Sequence, residues 1–224
     1  MNKTTIEEII RATEGTLISG QNENFITGVK HDSRECGAGD MFVAIIGKNN
    51  DGHIYIPQVV KNGCGTILVS HHDGWKDDVD LKDINVITVE DTVFAMGELA
   101  KYYLSTLDVL KVAVTGSVGK TSVRDMIYYV LSEKYTCGRN LKNFNNFIGL
   151  PISIFQFDDS TEAVVLEMGM DKFGEIDRLA GIVKPHIAVI TNIGMSHIEN
   201  LGSREGIFKA KMEVADHITG ITGN

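Results

Sequence analysis

Apolar and polar positions follow two different rhythms along this chain. Up to about residue 104, short apolar runs are separated by polar turns and only two clear helical stripes. The start Thr4-Thr5-Ile6-Glu7 predicts a capping box, Thr4 with Glu7, opening a short helix that Gly15 ends. Strands are predicted at 15–19, 25–30, 41–46, 66–69 and 85–89, with a helix over 56–62. A longer helix, 92–104, carries its apolar stripe on Val93, Met96, Leu99, Ala100, Tyr103 and Leu104. After Ser105-Thr106-Leu107-Asp108 the pattern changes to regular strand–helix alternation, which places a domain boundary there, with domains 1–106 and 107–224. Strands fall at 111–114, 163–166 and 187–190, with helices after Gly119, near 174–183 and after Ser203. The fully apolar runs Val164-Val165-Leu166 and Ile187-Ala188-Val189-Ile190 predict a mainly parallel sheet covered on both faces, hence an α/β fold. Such sheets usually hold about five or six strands. With three strong candidates, the second domain reads as truncated.

The most informative local pattern lies at the first of these strands. Val112-Ala113-Val114 runs into Thr115-Gly116-Ser117-Val118-Gly119-Lys120-Thr121, followed by a helical segment, 122–133. A strand, a glycine-rich turn, Lys-Thr and a helix form the arrangement in which backbone N–H groups and a helix dipole cradle phosphates. Gly116, Ser117, Val118 and Gly119 form the cradle. Lys120 is expected on the β/γ phosphates and the Thr121 hydroxyl on Mg2+. The strict P-loop pattern asks for glycine at position 114, where this chain has Val114, so the loop is a compact variant. An ordinary strand-to-helix turn is the simpler alternative, and the flanking strand and helix argue against it.

In parallel sheets ligands bind beyond the carboxyl ends of the strands, so the polar residues there are candidates. Glu167 follows strand 163–166 and suits an Mg2+ ligand, or else an edge salt bridge. His197, in Thr191-Asn192-Ile193-Gly194-Met195-Ser196-His197, is a second metal ligand, a phosphate contact, or a satisfied polar residue. Lys209-Ala210-Lys211-Met212-Glu213 reads most simply as a solvated face with Lys209 paired to Glu213. The amides of Asn143-Phe144-Asn145-Asn146 suit a sugar or peptide, or an Asn-rich turn. In the first half, Asp32-Ser33-Arg34 offers Ser33 and Arg34 to a diphosphate, and Asp51-Gly52-His53 closes a polar loop. His71-His72 and the lone Trp75 carry no assigned role.

Composition narrows the class. A hydrophobic content of 43% and a charged content of 23% suit a globular protein with a proper core. No apolar run approaches the roughly 18–20 residues of a membrane span, and the N-terminus has no apolar signal core. Three well-separated cysteines read as free thiols of a cytoplasmic protein, neither a disulfide frame nor a zinc site. The net charge of −9 without a basic cluster argues against a nucleic-acid partner.

Taken in order, these motifs resemble the Mur ligase family, the ATP-dependent amide-forming enzymes of bacterial cell-wall synthesis. The matching stretches are Asp32-Ser33-Arg34, Gly39-Asp40-Met41-Phe42-Val43-Ala44, Asp51-Gly52-His53, the compact phosphate loop, Asn145-Asn146-Phe147-Ile148-Gly149-Leu150-Pro151, Glu167-Met168-Gly169, Thr191-Asn192-Ile193-Gly194 with His197, and Lys211-Met212-Glu213. They cover nearly the whole chain. The resemblance implies a small mixed α/β N-terminal domain holding the UDP end of a substrate through Ser33, Arg34 and His53. It implies a P-loop domain in which Lys120 meets the phosphates of ATP and Asn146 lies near the ATP and substrate sites. Thr121 and Glu167 would hold one Mg2+, and His197 a second, with Lys211 carbamylated by CO2.

The phosphate loop, the Asn-Asn stretch and Glu-Met-Gly are most similar to the member that joins D-alanyl-D-alanine to UDP-N-acetylmuramoyl-tripeptide. The implied reaction is attack of the substrate carboxylate on the γ-phosphoryl of ATP, giving an acyl phosphate that the dipeptide amine then displaces. The alternative within the family is the ligase adding the third amino acid to UDP-N-acetylmuramoyl-dipeptide. Outside it stand another P-loop NTPase or kinase and a non-catalytic UDP-substrate-binding fragment. Val118 stands where many relatives have Asn, and Met212 where Gly is common; neither departure removes a ligand, and both are expected to alter the local loop shape. The family's third, Rossmann-like domain has no match here. A monomer with no membrane insertion and little or no ligase turnover of its own is therefore expected.

Overall fold

The computed structural model describes residues 1–71, 74–140, 143–195 and 198–220. The chain forms two compact units, Met1–Tyr102 and Tyr103–Asn224.

The first unit contains β1 (Thr4–Thr5), α1 (Ile6–Thr13), β2 (Thr16–Ser19), β3 (Phe25–Ile26), β4 (Gly28–Lys30), β5 (Asp40–Val43), α2 (Ile56–Lys61), β6 (Thr66–Val69) and β7 (Asn85–Thr88). Helix α3 (Thr92–Thr106) then carries the chain across the division. The main sheet has the order β2-β7-β6-β5-β4. Strands β4 to β7 pair in parallel, and β2 closes one edge antiparallel to β7. Strand β6 is buried at every position, as expected where helices and loops cover both faces. On one side Phe42, Ile67, Val69 and Val86 pack with Ile56 and Val59 of α2 and with Trp75. Trp75 is thus a core residue, its indole N–H donating to His71 O at 3.0 Å.

Two local expectations need correction. The capping box lies one residue later, with Thr5 and Glu8: the Thr5 hydroxyl accepts the Glu8 N–H at 3.2 Å, and Glu8 accepts the Thr5 N–H at 2.7 Å. Thr4 is unavailable as a cap because it is buried and paired with Ile26 in β1–β3. The run 25–30 is two strands, because Thr27 donates its N–H to Gly39 O at 2.7 Å and turns the chain between them. Strand β3 pairs antiparallel with β1, and β4 pairs parallel with β5.

The second unit contains β8 (Leu110–Thr115), α4 (Lys120–Ser132), β9 (Cys137–Arg139), α5 (Gly149–Ile154), β10 (Ala163–Glu167), α6 (Glu175–Val183), β11 (Ile187–Ile190), α7 (Ile198–Leu201) and α8 (Arg204–Met212). Its sheet has the order β11-β8-β10-β9, all parallel. Strand β10 is wholly buried, and its last residue, Glu167, stands opposite Val114. Strand β9 goes unseen in the sequence because Cys-Gly-Arg has no apolar run. Its glycine is needed because a Cβ on Gly138 would overlap the Phe157 ring. Among the described residues no helix is long and apolar enough to cross a membrane.

Leu166, the penultimate residue of β10, is fully buried, whereas Met126 on α4 is exposed. Leu166→Ala is expected to cost about 2–5 kcal/mol of unfolding free energy, and Met126→Ala less than about 0.5 kcal/mol. Urea unfolding followed by circular dichroism checks the contrast, and equal losses would contradict the two-sided burial of this sheet.

Candidate functional site

The phosphate loop is built as its residues predict. Strand β8 ends at Thr115, and Gly116 and Gly119 take φ values of 148° and 80°, which favour glycine. Gly116 is also needed for space, since a Cβ there would overlap Thr191 Oγ1. Gly119 is the N-cap of α4 and supplies no capping side chain. The Val123 N–H donates to Gly119 O at 2.9 Å, so the four N–H groups from Gly119 to Ser122 are the helix's leading donors. Lys120 folds over the loop and donates to Gly116 O at 2.9 Å.

Glu167 lies beside this loop with a side chain only 3% exposed. Its Oε2 accepts from Thr121 Oγ1 at 2.8 Å and pairs with the Arg124 guanidinium at 3.5 Å. Its Oε1 accepts from Asn145 Nδ2 at 2.8 Å. Asn140 grips the Glu167 backbone from both sides, accepting its N–H and donating to its carbonyl, each at 2.9 Å. Arg124 is also paired with Asp125 at 2.7 Å, and Asp125 with Arg139 at 2.6 Å. A hydroxyl and a buried carboxylate whose oxygens lie 2.8 Å apart form a hard-oxygen set of the kind Mg2+ prefers, so Thr121 and Glu167 fit that ion.

A cavity of about 270 Å³ opens here, lined by Lys120, Asn145, Asn146, Gly169, Asp171 and Glu175 among others. Asn146 lines it while its Oδ1 accepts the N–H groups of Ile148 and Gly149 at the start of α5. Lys211, on α8, is 2% exposed. Burial, assisted by the nearby Lys120 ammonium, lowers its pKa to about 8. The expected Lys209–Glu213 pair is not formed. Lys209 pairs with Glu205 at 3.0 Å, the better-oriented i,i+4 partner. Glu213 instead accepts the N–H groups of Gly174 and Asp177 at the amino end of α6, where the helix dipole favours an anion. His197 lies outside the described residues.

In the first unit, the loops after β4, β5 and β6 carry Ser33 and Arg34, then Asp51 and His53, then His71. These three parallel strands are neighbours, so the loops share the sheet's carboxyl edge. The exposed Arg34 guanidinium is bonded to Asp32, and that hydrogen bonding holds the Asp32 carboxyl well below its usual range. His53 is 1% exposed. Its Nε2 accepts the Ser70 N–H at 3.0 Å, so Nδ1 carries the proton that faces Asp51 Oδ1 at 2.6 Å. The other Asp51 oxygen meets His71 Nε2 at 2.9 Å, and the two imidazoles stack with centroids 3.9 Å apart. Burial raises the Asp51 pKa, but the His53 N–H and both imidazoles outweigh it and bring it to about 2. While His53 holds the Ser70 N–H, neither of its nitrogens is available to a metal. His72 lies outside the described residues.

The structure therefore joins Gly116, Lys120, Thr121 and Glu167 in one site, with Asn146 on the shared cavity and Lys211 close enough to feel the Lys120 charge. Sequence reasoning gives no role to Arg124 or Asn140. It offers Asn145 to a sugar or peptide, and Asn192 enters only within the Thr191-Asn192-Ile193-Gly194 stretch, whereas the structure ties Asn145 to Glu167 and Asn192 to the phosphate loop.

Residues 25–104 match the family model described as Mur ligase family, catalytic domain, and residues 114–221 match the Mur ligase middle domain. A UDP-N-acetylmuramoyl-tripeptide–D-alanyl-D-alanine ligase of Bacillus subtilis is 42% identical over 217 residues, 96% of this chain and 46% of that protein. A crystal structure of MurF from Acinetobacter baumannii superposes with a TM-score of 0.88 at 34% identity, covering 98% of this chain and 47% of the other. The MurF ligase from Thermotoga maritima in complex with ADP gives a TM-score of 0.77 at 34% identity, over 86% of this chain and 43% of the other. The chain spans about half the length of the relatives it matches.

Lys211 is expected to titrate near pH 8, against an ordinary value of 10.5, in a pH series of lysine side-chain NMR shifts. Because the unfolded chain holds the extra proton between these values, stability rises with pH from about 8 to 10.5, and below 8, where both states carry the proton, the cost of burying the Lys211 ammonium is present in full. A midpoint near 10.5 would contradict the burial of its amine.

Proposed function

The chain belongs to the Mur ligase family, and on that premise we propose that it carries the ATP- and UDP-substrate-binding parts of the ligase joining D-alanyl-D-alanine to UDP-N-acetylmuramoyl-tripeptide. The observation that carries this reading is the joint of Thr121 and Glu167 beneath the phosphate loop, 2.8 Å apart. Lys120, released from Gly116 O, neutralises charge on the β/γ phosphates. The N–H groups at the start of α4 orient the same phosphates.

Thr121 and Glu167 would hold one Mg2+, and His197 with Lys211 a second. Bound metal would supply charge neutralisation at the phosphates. Lys211 is suited to carbamylation because its depressed pKa raises the fraction of neutral amine, the form that attacks CO2. The N–C bond forms as one C=O π pair of CO2 moves onto oxygen and the amine proton passes to water, leaving an anionic carbamate that would serve as an oxygen donor. Asn145 and Arg124 hold Glu167 in place.

In the reaction, the substrate carboxylate attacks the γ-phosphoryl of ATP and ADP departs, leaving an acyl phosphate. The D-alanyl-D-alanine amine then adds to the acyl carbon, and the tetrahedral adduct expels phosphate. In the first unit, Arg34 and Ser33 meet the substrate diphosphate. His53 supports that edge from within, through Ser70 and Asp51. ATP and a UDP-linked precursor as co-substrates support a cytoplasmic reaction.

Calorimetric titration of the chain with UDP-N-acetylmuramoyl-tripeptide, with UDP-glucose as control, tests the substrate half, and selective binding of the tripeptide is expected. MgADP tests the nucleotide half. Loss of a charge-assisted phosphate contact in Lys120→Ala is expected to weaken MgADP about tenfold or more. A folded sample that bound neither ligand would overturn the assignment.

A further inference from the structure

The contacts of Asn192 divide the phosphate loop into two limbs. The Asn192 side-chain amide faces two backbone N–H groups, Ser117 at 3.1 Å and Val118 at 3.0 Å. Two donors require an acceptor, so the atom facing them is Oδ1. The Asn192 carbonyl takes a share of the same Ser117 N–H at 3.2 Å. Its neighbours reinforce the attachment. Thr191 Oγ1 donates to Val118 O at 2.6 Å, and the Gly194 N–H donates to Ser117 Oγ at 2.9 Å. The Thr191 N–H donates to Thr115 O at 2.9 Å, which continues the β8–β11 pairing beyond its last register pair, Ile190 with Thr115. The leading limb, Gly116 to Val118, is thus docked as an extension of the sheet.

The trailing limb differs. Gly119 caps α4 without a side chain, and the first intrahelical donor is Val123, so the N–H groups of Gly119 to Ser122 form a block at the positive end of a helix. A phosphate meeting these groups would displace no side-chain cap. One meeting Ser117 or Val118 would have to eject Asn192 and strain the flanking Thr191 and Gly194 bonds.

We infer that Asn192 is a positioning residue of the nucleotide site: its carboxamide ties off the Ser117 and Val118 amides, so the phosphates are held by the amides of Gly119 to Ser122. The inference rests on the nucleotide-binding reading above. The opposite arrangement makes Asn192 a plug that mimics a phosphate oxygen and leaves when nucleotide arrives.

Amide and side-chain NMR of the chain during titration with MgADP separates the two. Gly119 to Ser122 are expected to shift strongly, while Ser117, Val118 and the Asn192 carboxamide stay close to their starting positions. Asn192→Ala, which gives up two hydrogen bonds that shape the loop, is expected to weaken MgADP about five- to tenfold at unchanged Tm. Large shifts of Ser117, Val118 and Asn192 on binding, or equal or tighter MgADP binding by Asn192→Ala, would overturn the inference while leaving nucleotide binding intact. Failure of the folded unsubstituted chain to bind MgADP would remove the nucleotide reading itself. The titration of the unsubstituted chain decides the matter even if the variant folds poorly.

Discussion

A buried carboxylate at the end of β10 is the constraint around which the second unit is organised. Removing a charge from water is costly unless it is paired and hydrogen-bonded. Glu167 meets that demand by drawing Thr121 and Arg124 from α4, and Asn145 from the segment before α5. Asn140, itself fully buried, fixes the Glu167 backbone. The helix that begins at the phosphate loop and the amide-rich segment therefore meet at one anion. Arg124 and Thr121 share one oxygen of that anion, so the same contacts fix the Thr121 hydroxyl against Glu167. A hard cation at these oxygens would meet the same electrostatic demand, which is why the site suits one.

Asp51 plays a comparable part in the first unit. Its two oxygens face His53 and His71, and it accepts the backbone N–H of His53 as well. The Ser70 N–H at Nε2 settles the tautomer of His53, and with it the direction of the bond to Asp51. The loops after β5 and β6 are thereby bound together at the sheet's carboxyl edge. That leaves the Arg34 guanidinium as an exposed cation on the neighbouring loop after β4.

What could be read in the sequence was mostly local. The phosphate loop is encoded by consecutive residues, and Glu167 stands out because it follows a wholly apolar strand. Arg124, Asn140 and Asn192 act on groups far away in the chain, Asn192 on amides 74 and 75 residues earlier, and no spacing rule exposes such contacts. Strand β9 hid for a different reason: its three residues offer no apolar periodicity, and only pairing with β10 makes them a strand. The sequence does not locate the capping box to a single residue because Thr4 with Glu7 and Thr5 with Glu8 fit the same pattern. The pairing of Thr4 with Ile26 settles it. Lys211 reads as a surface lysine from its own neighbours, and only the family resemblance singled it out. Its burial is a property of the packed α8.

The most direct test of the account is a crystal structure of the chain with ADP and Mn2+, the metal located by its anomalous signal. The account predicts the metal between the Thr121 hydroxyl and the Glu167 carboxylate, with the diphosphate against the first turn of α4. Metal and diphosphate bound elsewhere, with Thr121 still donating to an undisturbed Glu167, would contradict it.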